Sequence, residues 1–495
     1  MRLFLVVITL VMATAATAAD RVALVVGMSD YSNIVTLKNA GNDAEGVSNT
    51  LSDIGFKVTT LLDVGSAELR RTIDDFAMQA ETADLALIYF AGHGVEVEGR
   101  NFLIPVDADI QSNKDIERQA VSLDDFLTAV DRARKMRIVI LDSCRDDPFG
   151  DRLERTQTSQ ASTNSAQTRS TGRTGLAKPS PDRGTLVAFA ARDGEKAFDG
   201  KGANSPFALA LMENLPRPGL EISLMFRQVR DSVLSSTKNL QEPHTYGSLP
   251  GVPFYLAGAA SDESDVTAAD PRIAWADIRP EQEAKLAKLA QQGDTRSMVG
   301  MAYMRLNSSD QRYDPQAAAD LLTRAAAAGS PEAQFELAQL YEIGLGVNQD
   351  VPRALELYQS AADGGFADAI NDLGFLYFQG GLGIVQNRKT GLAHFERAAE
   401  LRHPQAMYNY AALIDDGLVD GKGPEDAARY LYMSLRAGSS DVFELLSNRP
   451  TMFKLETRKA LQRNLTEFGF YAGGIDGDFG PGTQRGLKAA YGLEE

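Results

Sequence analysis

The sequence predicts an α/β first domain on a mostly parallel sheet, then an all-helical repeat arm and a small C-terminal unit. Three observations carry this. Short apolar runs alternate with amphipathic stretches from Arg21 to about Leu256, a helical repeat recurs from about Ala274 to Ser447, and a glycine-rich run follows a last amphipathic helix. Unbroken apolar strands alternating with helices indicate a parallel sheet covered on both faces.

The elements follow in order. Val22 to Gly27 is an apolar run rich in β-branched residues, and Ala44, Val47 and Leu51 mark a helix after it. Phe56 to Leu62 gives a second strand, Leu69 to Met78 a second helix, and Leu85 to Phe90 a third strand. Phe126 to Val130 is helical, Arg137 to Leu141 is a fourth strand, and Thr185 to Ala190 a fifth. Between the last two, Asp151 to Arg183 is Ser, Thr, Gln and Arg with almost no large apolar residue, which predicts a loop unable to bury surface. A low-complexity stretch then forms a linker over 258–273.

In the arm, Ser297, Ala333, Ala369, Ala406 and Val442 stand at equivalent positions, with steps of 36, 36, 37 and 36. A fixed helical period of this size means stacked helix pairs. Small residues (Ala338, Gly374, Ala411) fall where such helices touch. In the last segment, Leu461, Leu465 and Phe468 line an amphipathic helix, and Thr483 is placed to cap a final short one.

Composition narrows the function. A formal net charge of −17 over 495 residues argues against nucleic acid, which needs a concentrated basic face. One cysteine excludes an intramolecular disulfide and a Cys-rich zinc site. Asp476-Gly477-Asp478 suggests calcium, but Leu487 stands where an EF-hand needs a bidentate Glu. No metal and no cofactor are expected. Met1-Arg2, the apolar Leu3 to Val11 and Ala16-Thr17-Ala18 read as a secretory signal over 1–19, and no later segment has the apolar length of a membrane span.

The single cysteine, Cys144, directly follows the fourth strand in Asp142-Ser143-Cys144-Arg145. His93 directly follows the third, in Ala91-Gly92-His93-Gly94, 51 residues earlier. Functional groups collect at the carboxyl ends of parallel strands. A thiol and an imidazole at two such ends are what a Cys-His nucleophilic pair needs. The amides of Gly94 and Cys144, with that of Gly92, are candidate oxyanion donors. The competing reading is an inert buried thiol and a turn histidine. His244 is the rival base, expected in a polar loop with no strand feeding it.

These residues resemble the caspase/metacaspase family of cysteine peptidases. Ala91-Gly92-His93-Gly94 matches its histidine motif, and Leu141 to Phe149 is similar to the D-x-C-R-x-x-P-F signature of its bacterial branch. Leu37 to Ala44 resembles its first-helix motif, and Gly202 to Phe207 a downstream one. The resemblance covers 20–257 and implies a caspase-like sheet, His93 as base and Cys144 as nucleophile of peptide hydrolysis. It also implies that Asp43 and Asp142 form an acidic substrate pocket that accepts Arg or Lys; the alternative is that these carboxylates only cap or bridge secondary structure. The arm, 274–447, resembles SEL-like repeats, tetratricopeptide relatives, through Leu337 to Val347. That implies a protein-binding solenoid, against a plain spacer. Gly473 to Thr483 resembles the three-helix peptidoglycan-binding domain, placed at 448–495.

Together these imply an exported endopeptidase in the periplasm or cell envelope of a bacterium. Its partners would be a peptide or protein substrate, a protein on the repeats, and peptidoglycan. Self-cleavage within 151–183, which holds Arg152, Arg155, Arg169, Arg173, Lys178 and Arg183, is a further expectation. A non-catalytic caspase-fold adaptor and an enzyme of peptidoglycan cross-links are the rival readings.

Overall fold

A computed structural model of the chain describes residues 21–144, 184–192, 197–249, 252–258 and 280–493, with Arg272, Trp275 and Ile278. The expected signal segment and the 151–183 loop lie outside them, as do the motif residues after Cys144.

Strands β1 (Arg21–Gly27), β2 (Lys57–Leu62), β3 (Leu85–Val97), β6 (Met136–Cys144), β7 (Thr185–Phe189) and β8 (His244–Ser248) form the main sheet, in the order β2-β1-β3-β6-β7-β8. The pairings are parallel until the last, β7 with β8, which is antiparallel. Two short strands, β4 (Arg100–Leu103) and β5 (Val121–Ser122), extend β3 on the side.

Strand alternation divides the interior in two. Val25, Leu87, Tyr89, Ile138 and Ile140 face a core completed by α1 (Ala40–Asp53), α5 (Pro206–Asn214) and α6 (Ile222–Ser236). Leu24, Ile88, Phe90, Val139 and Leu141 face the opposite core, under α2 (Ser66–Thr82) and α4 (Leu123–Val130). A further helix, α3 (Asn113–Gln119), precedes β5. Each central strand is buried on both faces, which explains the continuous apolar runs.

Three strand expectations need correction. β6 does not stop at Leu141 but includes Cys144 as its last residue. β3 does not stop at Phe90. It runs on through His93 to Val97, pairing in parallel with β6 as far as His93 and antiparallel with β4 from Gly94. The glycines flanking His93 lie inside this strand, Gly92 paired with Ser143 of β6 and Gly94 with Leu103 of β4. Likewise His244 opens β8, opposite Phe189, rather than lying in a loop. His-Thr-Tyr-Gly-Ser has no apolar run to announce a strand.

The arm consists of α7 (Pro280–Gln291) followed by helix pairs α8 (Thr295–Leu306) and α9 (Pro315–Ala327), α10 (Pro331–Ile343) and α11 (Val351–Asp363), α12 (Ala367–Gln379) and α13 (Arg388–Glu400), and α14 (Pro404–Asp416) and α15 (Pro424–Arg436). α16 (Ser440–Asn448) follows. The starts are encoded locally. Asp314, Ser330, Asp350 and Asn387 accept a hydrogen bond from the third helical amide, and proline opens several first turns. Ala338 and Ala411 are fully buried, and a Cβ on Gly374 would stand 2.9 Å from the Phe395 ring. The small residues are there because neighbouring helices need the space.

The C-terminal segment has a 3-10 turn (Pro450–Met452), α17 (Leu455–Glu467) and α18 (Pro481–Tyr491). Gln462, fully buried, organises the loop between the two helices. Its Nε2 shares two N–H donors among Asp476 Oδ1 at 3.0 Å, the Asp478 carbonyl at 3.0 Å and Thr483 Oγ1 at 3.2 Å, while its Oε1 accepts from Gly477 N at 2.7 Å. Gly477 has φ +81°, where glycine is preferred. Thr483 is not the cap: Gly480 precedes α18, and Thr483 sits buried within its first turn.

Candidate active site

The β3–β6 ladder brings the two chemical candidates together along the backbone. In the β3–β6 ladder His93 pairs in register with Cys144, Ala91 with Asp142, and Gly92 with Ser143. Neighbouring strands lie about 4.8 Å apart. His244 is more remote: it pairs with Phe189 on β7, which lies beyond Leu141 of β6, and its ring packs edge-on against Tyr246 at 4.8 Å between centroids.

His93 is buried at 6% exposure and anchored from several directions. Its Nε2 lies 2.8 Å from the Val35 carbonyl. A carbonyl can only accept, so Nε2 carries the proton of that bond. The His93 amide donates to Tyr31 Oη at 2.7 Å, and its carbonyl accepts from Ile104 N at 3.0 Å. The Tyr31 ring packs on the imidazole with centroids 4.7 Å apart, and its hydroxyl donates to the Ile104 carbonyl at 3.2 Å. This explains Gly92. A Cβ there would stand 2.7 Å from Tyr31 Oη and 2.9 Å from the Phe90 ring.

Asp43 and Asp142 converge as well, through Ser205. Asp142 shares the face of Ile138 and Ile140, and Asp43 lies in the first turn of α1, which covers that face. Asp142 Oδ2 accepts from Ser205 Oγ at 2.6 Å and from Tyr89 Oη at 3.1 Å. Asp43 Oδ1 accepts from Asn204 Nδ2 and Ser205 N, each at 2.9 Å. Both carboxylates are buried, and no cation is paired with either among the described residues. Burial, opposed by the Asn204 and Ser205 bonds, pushes Asp43 up to about 6. Burial, followed by repulsion from Asp43, pushes Asp142 up to about 7.

The surrounding loop is stitched to α1. Lys38 N and Asn39 Nδ2 donate to Asp199, and Asn42 Nδ2 donates to the Ala203 carbonyl at 3.0 Å. Asn39 is fully buried, and its Oδ1 has no hydrogen-bond partner among the described residues. Among those residues no three His, Cys, Asp or Glu side chains converge to hold a metal ion.

Sequence reasoning missed Tyr31, Val35, Tyr89 and Ser205. Only Ser205 carried a signal, within the Gly202 to Phe207 motif, and that motif named no role. The other three act through a hydroxyl or a backbone carbonyl supplied from a distance along the chain.

Residues 20–255 match the family model described as the caspase domain. The first unit is a caspase domain. Residues 295–330, 331–366, 367–403 and 404–439 each match the Sel1 repeat, one helix pair at a time, and 454–490 match the family described as "Putative peptidoglycan binding domain". Among curated proteins, human mucosa-associated lymphoid tissue lymphoma translocation protein 1 is 32% identical over 129 residues, which is 26% of this chain. The match spans 15% of that relative's length. Among solved structures, caspase-1 from Spodoptera frugiperda is 18% identical over 48% of this chain and 91% of that one, with a TM-score of 0.33. A Sel1 repeat protein from Oxalobacter formigenes is 24% identical over 38% of this chain and 56% of that one, with a TM-score of 0.31. The caspase domain thus contains the sheet, the His93–Cys144 pairing and the Asp43–Asp142 pair. The Sel1 repeats form the arm.

Proposed function

We propose that the caspase domain is a cysteine endopeptidase cleaving after Arg or Lys, with Cys144 as nucleophile and His93 as base. The observation that carries this reading is the His93–Cys144 register pairing. With Nε2 of the neutral ring donating to the Val35 carbonyl, Nδ1 is the basic nitrogen that takes the thiol proton. The thiolate attacks the scissile carbonyl and a C–S bond forms. The C–N bond then breaks as the leaving amine takes that proton from His93. Water, deprotonated by the same imidazole, hydrolyses the thioester and restores the thiol. The Gly94 and Cys144 amides are the donors we assign to the oxyanion.

The basic specificity rests on Asp43 and Asp142. Two buried carboxylates raise each other's cost of ionisation, and a guanidinium between them removes it while supplying donors to both. Asn39 Oδ1 offers a further acceptor nearby. An Asp side chain in the same place would meet only repulsion.

The Sel1 repeats suggest protein binding. The C-terminal domain suggests peptidoglycan, and with it the bacterial cell envelope; no helix among the described residues is long and apolar enough to cross a membrane. We assign the repeats to substrate or partner recruitment and the last domain to a wall tether on an exported enzyme. The deciding assay is fluorogenic peptides with Arg, Lys or Asp before the scissile bond, on wild type, Cys144→Ala and His93→Ala. Turnover of the Arg and Lys peptides by wild type alone is expected. Turnover unchanged in Cys144→Ala, or a preference for Asp, overturns the reading, and no turnover of any peptide leaves the adaptor alternative.

A further inference from the structure

A cavity of about 630 Å³ opens where the caspase domain, the Sel1 repeats and the C-terminal domain meet. It lies at the opposite rim of the sheet from His93 and Cys144, beside the first residues of β6 and β7. Its size is that of a small-molecule site at a domain boundary. In a chain of net charge −17, seven cationic and four acidic side chains line it.

Tracing the ion pairs shows which cations are committed. Arg402 pairs with Asp131 at 2.5 Å, and Arg436 lies 3.8 Å from Glu81 and donates to the Ala490 carbonyl at 2.8 Å. Arg134 and Lys135 share a single carboxylate, Asp84. Arg132 and Arg429 have no carboxylate partner among the described residues. Arg132 donates to Met78 Sδ at 3.3 Å, and the Arg429 guanidinium stands 4.7 Å from the Tyr430 ring centroid. On the acidic side, Glu425 is drawn to Arg463 outside the cavity. The balance in the cavity is therefore positive.

The floor is built to hold a guanidinium in place. Arg137 is buried, donating from Nε to Thr185 Oγ1 at 3.0 Å and from Nη1 to the Ala133 carbonyl at 3.1 Å. A Cβ at Gly184 would crowd its Nη2 at 2.8 Å. Arg436 is buried too, and burial pulls it below the usual arginine range, with Arg134 adding repulsion. Met433 and Phe468 give the cavity an apolar side.

We propose that this cavity binds a multiply charged organic anion of nucleotide size, its phosphate or carboxylate groups held by Arg132 and Arg429 and its apolar part by Met433 and Phe468. Charge-assisted bonds to arginine favour such groups, and planar forks suit both chemistries.

The test is calorimetric titration of the full chain in two arms, ATP without magnesium and a disaccharide-peptide fragment of peptidoglycan. The first carries phosphates and the second carboxylates. Saturable one-to-one binding is expected in one arm, weakening as salt rises. It is expected to fall at least ~10-fold in Arg132→Gln/Arg429→Gln, consistent with loss of two charge-assisted contacts. The melting temperature of that variant checks that it folds; should it fall, the single Arg429→Gln, at an exposed position, is titrated instead. No binding in either arm up to millimolar ligand, or binding that the substitutions leave intact, overturns the proposal.

Discussion

Asp43 and Asp142 grip the same serine from two sides: Asp43 takes the Ser205 amide at 2.9 Å and Asp142 its hydroxyl at 2.6 Å. Ser205 also caps α5 by accepting from Ala208 N at 2.9 Å. One residue thus spaces two carboxylates that repel each other and fixes the helix below them.

That pair costs stability when it ionises. Asp142 stands at about 7 in the folded chain against an ordinary 3.8. The folded chain therefore keeps a proton that the unfolded chain has released, and stability falls as pH rises from about 4 to about 7. Asp142→Asn keeps an acceptor for Ser205 and Tyr89 without the charge. Its melting temperature should exceed wild type by a few degrees at pH 8 and match it near pH 4, by scanning calorimetry.

The same substitution should remove the attraction for a basic side chain. We expect kcat/KM for Arg peptides to fall by ~100-fold, the scale of a lost charge-assisted contact to a buried ion. In wild type, 1/KM for an Arg peptide should decline below about pH 7 as Asp142 and then Asp43 take protons. A neutral P1 peptide serves as control and should lack that limb.

Gly92→Ala should disable the base without touching it. The new methyl meets Tyr31 Oη and the Phe90 ring within 3 Å, so Tyr31 must leave its place on His93. Overpacking of this kind costs ~1–3 kcal/mol. Thermal unfolding reads the cost, and the peptide assay should show a lower kcat with little change in KM.

In the last domain, Gln462→Ala removes the amide whose two N–H donors and carbonyl oxygen tie the Asp476 to Thr483 loop to α17. At ~0.5–1.5 kcal/mol per bond the loop should loosen. Co-sedimentation with purified sacculi is expected to drop, while peptidase activity in solution stays at the wild-type level.

Four of the five parallel strands, β1, β3, β6 and β7, were legible because each is buried on both faces and so reads as an apolar run, whereas the edge strand β2 is partly exposed and mixes Lys and Thr with its apolar residues. The repeat was legible because a stacking contact imposes Ala or Gly at a fixed interval. What stayed hidden has physical causes. Glycines around His93 serve close packing inside a strand, and composition alone does not separate that use from a turn. His244 to Ser248 lies at a sheet edge, paired on β7 only, so nothing forces an apolar pattern on it. The Val35 carbonyl that orients His93 belongs to the backbone, which every residue has. Position 43 and position 142 were both marked as acidic, yet their meeting through Ser205 depends on a third segment 63 residues beyond Asp142.

Arg134 reaches the Tyr491 carbonyl and Arg436 the Ala490 carbonyl, so the tail of the chain is moored beneath the starting ends of the central strands. Fastened to murein through that tail, the molecule would turn its strand tips away from the sugar lattice. Its prey would then be polypeptides arriving from the open side, and the wall would serve as a footing.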